Sequence, residues 1–253
     1  MVSRKQILKI EGKGAIQMRD INQRILKLWQ TTSKEYLNGL MPMLIDNPNS
    51  NQVTFIGLNP SFSVDGFKTF LQKTDDYCDI NVREFYAFPL TTYFSKERSM
   101  EIEKLMKEKY PYFDPFGYLL KDTGEKWEYL DLFYIRETSQ EKLKQVIFSK
   151  DGKLSVFAQE QLKITKDILE EIQPKVIVIV NALASRIFKV EEFKTPFTAQ
   201  FNEQFGCYST EIGGRTIPVF LSSMLSGQRA LDRFSKERLR WHLQKVLKDI
   251  VSF

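Results

Sequence analysis

Histidine and cysteine are scarce in this chain of 253 residues, and their scarcity limits the chemistry open to it. The chain contains a single histidine, His242, and two cysteines, Cys78 and Cys207. Two thiols are too few for a four-cysteine zinc or iron–sulfur site, and they are weak evidence for a disulfide. The histidine lies between Leu239 and Val246 at helical spacing, which favours a structural role over acid–base catalysis. We therefore expect neither a metal site nor a cofactor.

Long apolar segments and glycine-rich phosphate-binding motifs are also missing. No apolar run approaches the length of a membrane span, and the first residues, MVSRKQILKIEGKG, lack the apolar core of a signal peptide. A cytoplasmic protein with no membrane partner is therefore expected. Because the sequence has no P-loop and no dinucleotide fingerprint, the commonest α/β enzymes that bind phosphorylated molecules are disfavoured.

The chain does contain enough apolar material for one large core. Hydrophobic residues make up 42% of it and aromatic residues 13%, which favours one domain over residues 1–253. Apolar residues recur at helical spacing from Ile21 to Leu40, so residues 1–52 are expected to form a helical extension packed on that domain. The formal net charge of +5 favours a polyanionic partner such as DNA without requiring one.

Short apolar runs alternate with helical patterns along the rest of the chain. Strands are expected at Val53–Gly57, 129–135 and Val176–Val180. Two extended runs around Gly213 and Gly214 predict a hairpin whose second arm enters the sheet. This alternation predicts the α/β class, and the expected architecture is a three-layer α/β/α sandwich with a central, mainly parallel four-stranded sheet.

The segments between these strands predict helices and one insertion. Residues 154–172 are expected to form a long helix, and Asn181 is expected to cap the next one. The charged and aromatic segment 79–126 resembles an insertion, with a helix around 100–109 and a turn at 112–117.

The first expected strand runs directly into an Asn-Pro turn, in the segment VTFIGLNPSFSVDGF at 53–67. In open α/β sheets, ligands bind in the crevice outside the carboxyl ends of the strands. Asn59, whose backbone is restricted by the following Pro60, would point a short polar side chain into that crevice. The alternative is an ordinary strand-to-loop turn, in which the asparagine serves only the local backbone.

A second segment, SSMLSGQRALDRF at 222–234, is expected to follow a strand and to open a long helix. In this chain order, GLNPS and SSMLS resemble the first and second motifs of the uracil-DNA glycosylase superfamily, nearest its mismatch-specific and single-strand-selective branches. The resemblance covers about residues 53–253. It implies a DNA repair enzyme that hydrolyses the N-glycosidic bond of a damaged or deaminated base flipped out of the DNA.

The resemblance assigns roles to three residues of the first motif and its surroundings. Asn59 matches the residue that positions the attacking water in the superfamily. An amide can orient water but cannot act as a general base, so the expected role is orientation. Phe67 is the first candidate for stacking on the flipped base, and Phe70 is the second. Either phenylalanine is also compatible with a place in the core.

Asp131 stands where many members of the superfamily use an asparagine to read the base edge. An ionised carboxylate only accepts hydrogen bonds, whereas an amide both donates and accepts. Either the pocket favours a base edge with more donors, such as an amino-bearing one, or burial raises the pKa of Asp131 until it carries a proton. The structural alternative is a strand carboxylate bonded to nearby backbone or paired with a basic side chain such as Arg136.

The second motif combines a departure from the superfamily with several candidate DNA contacts. Leu221 stands at the position of the histidine that stabilises the departing base, and losing such a donor costs about a hundred- to a thousandfold in rate. Leu225 matches the leucine that wedges into the space left by the flipped nucleotide, or it packs at the helix entry. Ser223, Ser226 and Arg229 are expected on DNA phosphates, with helix capping and a solvated basic face as alternatives.

The leading hypothesis is a monomeric, metal-free DNA glycosylase that acts on single-stranded DNA or mismatched duplexes. It requires Asn59, Asp131 and Leu225 to share one cleft. The first alternative is a non-catalytic nucleic-acid or nucleotide-binding protein of the same fold. The second is an unrelated α/β enzyme whose strand-end loops bind a phosphorylated small molecule.

Overall fold

A computed structural model of the chain describes residues 21–32, 37, 39–74, 77–92, 94–189 and 191–251. The strands are β1 (Val53–Gly57), β2 (Trp127–Asp131), β3 (Val176–Val180), β4 (Gln200–Asn202), β5 (Cys207–Ile212) and β6 (Arg215–Ser222). The helices are α1 (21–31), α2 (Val64–Leu71), α3 (Val82–Phe85), α4 (Lys96–Lys109), α5 (Asp114–Leu120), α6 (Gln140–Ile147), α7 (Val156–Ile172), α8 (Ala182–Lys189) and α9 (Arg233–Val251).

The strands form one mixed sheet of six, in the order β2-β1-β3-β6-β5-β4. Strands β2, β1, β3 and β6 are parallel, while β5 is antiparallel to both of its neighbours. The α/β class is confirmed, but the expectation of four strands is wrong, because β4 and β5 extend the sheet. Strand β4 has only three residues, too few to give a periodic pattern. The hairpin is confirmed: Gly213 and Gly214 join β5 to β6 with φ angles of +55° and +77°.

Both faces of the parallel strands are covered, which explains why β3 is continuously apolar. Its residues alternate between two hydrophobic clusters: Val176 and Val178 belong to one, and Ile177 and Ile179 to the other. Helices α5 and α9 contribute to the first cluster, and helices α1, α6, α7 and α8 to the second. The expected cap of α8 is confirmed, since Asn181 Oδ1 accepts hydrogen bonds from the backbone amides of Leu183 and Ala184.

The described part of the amino-terminal extension packs into the same core as the sheet. Ile21, Ile25 and Trp29 of α1 are each at most 1% exposed and belong to the larger cluster. Asn22 ties the helix to the segment before β1, because its side chain bonds both the amide and the carbonyl of Ile45. The earlier part of the expected extension, residues 1–20, lies outside the described residues. Among the described helices, none combines the length and the apolar character that crossing a membrane requires.

Two expected boundaries in the middle of the chain are wrong. Strand β2 ends at Asp131 rather than at 135, because β1 ends beside it at Gly57. The next two amides, of Leu132 and Phe133, bond to the carbonyls of Gly57 and of Leu58, which follows β1. The turn expected at 112–117 is a short 3₁₀ turn followed by α5. Pro115 lies in the first turn of α5, where a proline is tolerated because the first amides of a helix have no intrahelical partner.

The second motif does not open a helix, which corrects the expectation for 222–234. Helix α9 begins at Arg233, and its cap is Asp232, whose carboxylate accepts from the Ser235 amide at 3.0 Å. The preceding residues form a loop that closes with a bond from the Leu231 amide to the Met224 carbonyl. Gly227 has a φ of +81°, a left-handed conformation that interrupts any helix there.

Candidate functional site

A cavity of about 760 Å³ opens at the carboxyl ends of β1 and β2. Its walls come from the segment before β1, the loop between β1 and α2, helices α2 and α4, residues 110–113, strand β2 along its whole length, and the loop between β2 and α6. Asn181, after β3, and Met224, after β6, line its far side. A crevice outside the ends of parallel strands is the usual ligand site of an open α/β sheet. The size is in the range of small-molecule pockets in general.

Asn59 is half-buried at the end of β1 and lines this cavity. Its Nδ2 group donates to the carbonyls of Ile135 at 2.9 Å and Glu137 at 2.7 Å, and so joins two strand-end loops. Since carbonyl oxygens only accept, the atom that faces them must be the amide nitrogen. Within the described part of the chain, no hydrogen bond reaches Oδ1. The side chain is therefore fixed by its donor while its acceptor remains available.

The two candidate stacking residues both line the cavity but differ in exposure. Phe67 is 6% exposed and packs edge-on against Tyr86 with ring centroids 5.4 Å apart. Phe70 is half-buried and meets Tyr110 edge-on at 5.9 Å, and Tyr110 is 42% exposed. Phe70 and Tyr110 thus form the more accessible part of the aromatic wall, while Phe67 lies largely within the core.

Asp131 ends β2 and lines the cavity although it is only 1% exposed. The hydroxyl of Tyr129 donates to its Oδ1 at 2.9 Å, and no hydrogen bond to Oδ2 is found among the described residues. Burial raises the pKa of Asp131 to about 7, partly offset by the Tyr129 hydroxyl. Gly57, beside it on β1, makes room for this pair, because a Cβ at Gly57 would overlap both Tyr129 Oη and Asp131 Oδ1. The pKa agrees with the expected alternative in which burial favours the protonated acid.

Arg136 lines the cavity as well, but it does not pair with Asp131. Its guanidinium forms an ion pair with Glu103 of α4 and lies 4.4 Å from the ring centroid of Tyr86. A second pair joins Lys107 of α4 to Glu128 of β2, and the pKa of Glu128 is lowered by that lysine against the effect of burial. The structural alternative of an Asp131–Arg136 pair is therefore wrong.

The residues of the second motif are placed less favourably for the expected roles. Leu225 is 2% exposed and packs in the cluster of α5 and α9, so burial favours packing over the wedge role. It does not line the cavity, although its neighbour Met224 does, so the requirement that Asn59, Asp131 and Leu225 share one cleft is met by Asn59 and Asp131 but not by Leu225. Ser223 and Ser226 lie in the loop ten and seven residues before α9, which removes the expected helix start from their surroundings. Arg229 is exposed, and its nearest polar contact is Gln140, at 3.4 Å.

Sequence reasoning missed the contribution of α4. Glu103 and Lys107 line the cavity from one face of the helix, four residues apart, and Tyr110, the residue that follows α4, lines it too. That polar and aromatic face was the available signal, but the segment was interpreted as an insertion without a part in the site. Tyr112 and Tyr129 were also missed, because the first was expected in a turn of the insertion and the second only as the start of a strand.

Within the described residues, no group of three or more histidine, cysteine, aspartate and glutamate side chains is arranged to hold a metal ion. No protein-family model matches the chain, and comparison with curated protein sequences finds no match either. The chemistry of the cavity itself therefore carries the functional argument.

Proposed function

We propose that this protein is a DNA N-glycosylase with a three-layer α/β/α architecture, and that the cavity receives a damaged base flipped out of the DNA. The observation that carries the proposal is the meeting of Asn59 and Asp131 in one cavity, although they follow different strands. The expected stacking residues, Phe67 and Phe70, line the same cavity. Three elements of the resemblance thus converge on one place.

The geometry of Asn59 suits the positioning of water. Its Nδ2 group is held by two backbone carbonyls, so Oδ1 can accept a hydrogen bond from water without reorganisation. Breaking an N-glycosidic bond produces a cationic sugar, which needs little activation of the nucleophile. In this mechanism Asn59 orients the water, Phe70 packs against the base, and Asp131 contacts the base edge.

A second candidate function is that of a non-catalytic protein that binds a base or nucleotide in the same cavity. It is favoured by Leu221, which is half-buried against the apolar core and offers no donor to a departing base. The burial of Leu225 also supports it, because an enzyme that flips bases from duplex DNA needs a residue to fill the vacated space.

The test is alkali-revealed strand cleavage of single- and double-stranded oligonucleotides that carry uracil, hypoxanthine, xanthine or a thymine mismatch. Cleavage is expected with the native chain and should fall at least about a hundredfold in Asn59→Ala. Asn202→Ala is the matched control. The Asn202 side chain also stabilises a turn, because its Oδ1 accepts from the backbone N–H of Phe205, but it does not line the cavity. Absence of cleavage by the folded protein, with salt-dependent binding of the same oligonucleotides, would favour the non-catalytic function.

A further inference from the structure

The cavity is richer in acidic than in basic side chains, although the chain as a whole is basic. Six carboxylates line it and only three basic side chains do. The carboxylates belong to Asp46, Glu103, Glu108, Glu128, Asp131 and Glu137. Two of the basic side chains, Arg136 and Lys107, already pair with Glu103 and Glu128. Glu137 also has protein partners, among them the Ser139 amide, which leaves three carboxylates against the single lysine Lys104. This balance favours a ligand that is positively charged or rich in hydrogen-bond donors.

One of these carboxylates is both buried and part of the cavity lining. Asp131 is 1% exposed and lines the cavity, and only its Oδ1 receives a hydrogen bond, from Tyr129, within the described part of the chain. A ligand in the cavity can therefore supply a donor or a compensating charge to Oδ2. A cation in the cavity would favour the ionised form of Asp131, and the ionised carboxylate repels a base edge that carries only acceptors.

The wall of the cavity is also suited to a cationic ring. Phe70, Tyr110, Tyr112, Phe113 and Trp127 line it, and Phe113 and Trp127 stack with centroids 5.9 Å apart. Aromatic faces attract cations more strongly than neutral rings, and the attraction grows when water is excluded. Aromatic walls and a buried carboxylate in one cavity are the chemistry that recognises a delocalised organic cation.

The absence of a donor at Leu221 fits the same ligand. When a neutral base leaves, the electron pair of the C1′–N bond makes it an anion that needs stabilisation. A base that is already cationic takes up this electron pair and leaves as a neutral molecule. Leu221 packs against the core outside the cavity lining, and neither it nor the cavity-lining Met224 has a side-chain donor, which is no disadvantage for such a leaving group.

We propose that the base bound here is a purine that carries a positive charge because one of its ring nitrogens is alkylated. This inference rests on the proposed glycosylase function and names its substrate class. In the reaction, the C1′–N bond breaks with its electrons going to the base, which departs neutral. The oxygen of the water held by Asn59 bonds to C1′, and the proton it loses passes to bulk water. Asp131 offsets the positive charge of the bound base.

The experiment incubates the full chain with duplex DNA methylated by dimethyl sulfate, and with duplexes of the same length that contain uracil or hypoxanthine. Released bases are measured by chromatography and mass spectrometry against an enzyme-free control for spontaneous loss. Release of 7-methylguanine or 3-methyladenine is expected at a rate at least about tenfold above that of either neutral base. Asp131→Asn should lower this release about tenfold or more, and Asp151→Asn, which makes the same change on an exposed loop, should not.

The outcomes separate the two proposals. Equal or faster release of uracil or hypoxanthine overturns the alkylated-purine inference and leaves the glycosylase function standing. If no base is released from any substrate by a protein that unfolds cooperatively in urea, both proposals fail together. If methylated purines are released but Asp131→Asn releases them at the native rate, the assignment of the charge-compensating role to Asp131 is overturned.

Discussion

Replacing Asp131 with asparagine should stabilise the protein increasingly as the pH rises. The carboxyl is buried, and burial is the largest cause that raises its pKa from 3.8 to about 7. The groups that act on it are Tyr129 through its hydrogen bond, Glu103, which raises the pKa, and Lys107 and Arg136, which lower it. Asparagine keeps the shape and an acceptor for the Tyr129 hydroxyl but has no charge to bury.

The sign follows from proton binding. Between pH 4 and pH 7 the folded state holds a proton on Asp131 that the unfolded state has lost, so the free energy of unfolding falls as the pH rises. The whole stabilisation is present below the unfolded pKa and is lost once the pH exceeds the folded one. A difference of about three pKa units corresponds to about 4 kcal/mol, of which about 2–3 kcal/mol falls between pH 5 and pH 8.

The assay is urea unfolding of the native chain and of Asp131→Asn at several values from pH 5 to pH 8. All other titrating groups are common to both proteins, so the difference in unfolding free energy isolates this carboxyl. The advantage of the variant should grow by about 2–3 kcal/mol across the range. A difference that stays constant within about 0.5 kcal/mol, or that shrinks with pH, would refute the argument that burial dominates at this site.

Two further substitutions test the packing around the cavity by the same unfolding measurement. Glu103→Gln removes the charged partner of the Arg136 guanidinium, whose side chain is 1% exposed. The free energy of unfolding should fall by about 3 kcal/mol. A fall of less than about 1 kcal/mol would mean that water in the cavity hydrates the arginine. Gly57→Ala should lower the free energy of unfolding by about 1–3 kcal/mol, because the new methyl group overlaps Tyr129. Gly117 lies on α5 with open space around it, so Gly117→Ala should leave the stability unchanged or raise it by up to about 1 kcal/mol. Equal effects of the two glycine substitutions would contradict the close approach of β2 side chains to Gly57.

The elements that could be predicted from the sequence are those whose signals are local. Strand β3 was recognisable because five consecutive buried positions are apolar and β-branched, and the cap at Asn181 because the residue type and the position agree. The helix start expected near Ser226 was wrong, because Gly227 adopts a left-handed conformation and Asp232 provides a better cap. A choice between two possible caps depends on how the loop packs, and the sequence alone does not contain that information.

The candidate site was predictable only in part, for a related reason. Asn59 and Asp131 were expected at strand ends, where the geometry of parallel strands brings different loops together. Glu103 and Lys107 belong to a helix far from both in sequence, and their partners on β2 and beyond could not be identified before the helix was placed. The sequence therefore predicted the cavity residues at the ends of strands, but not those that α4 contributes.

The stability cost at Asp131 bears on function. At neutral pH the burial of this carboxyl opposes folding, and an asparagine could accept the Tyr129 bond without that cost. Charged groups that weaken the folded state and still line a cavity are typical of sites where the charge acts on a ligand. A purely structural role gives no reason to prefer the acid, because the packing and the hydrogen bond are both available to the amide. The carboxylate therefore fits the proposed function, in which a ligand that enters the cavity offsets its charge or uses its proton.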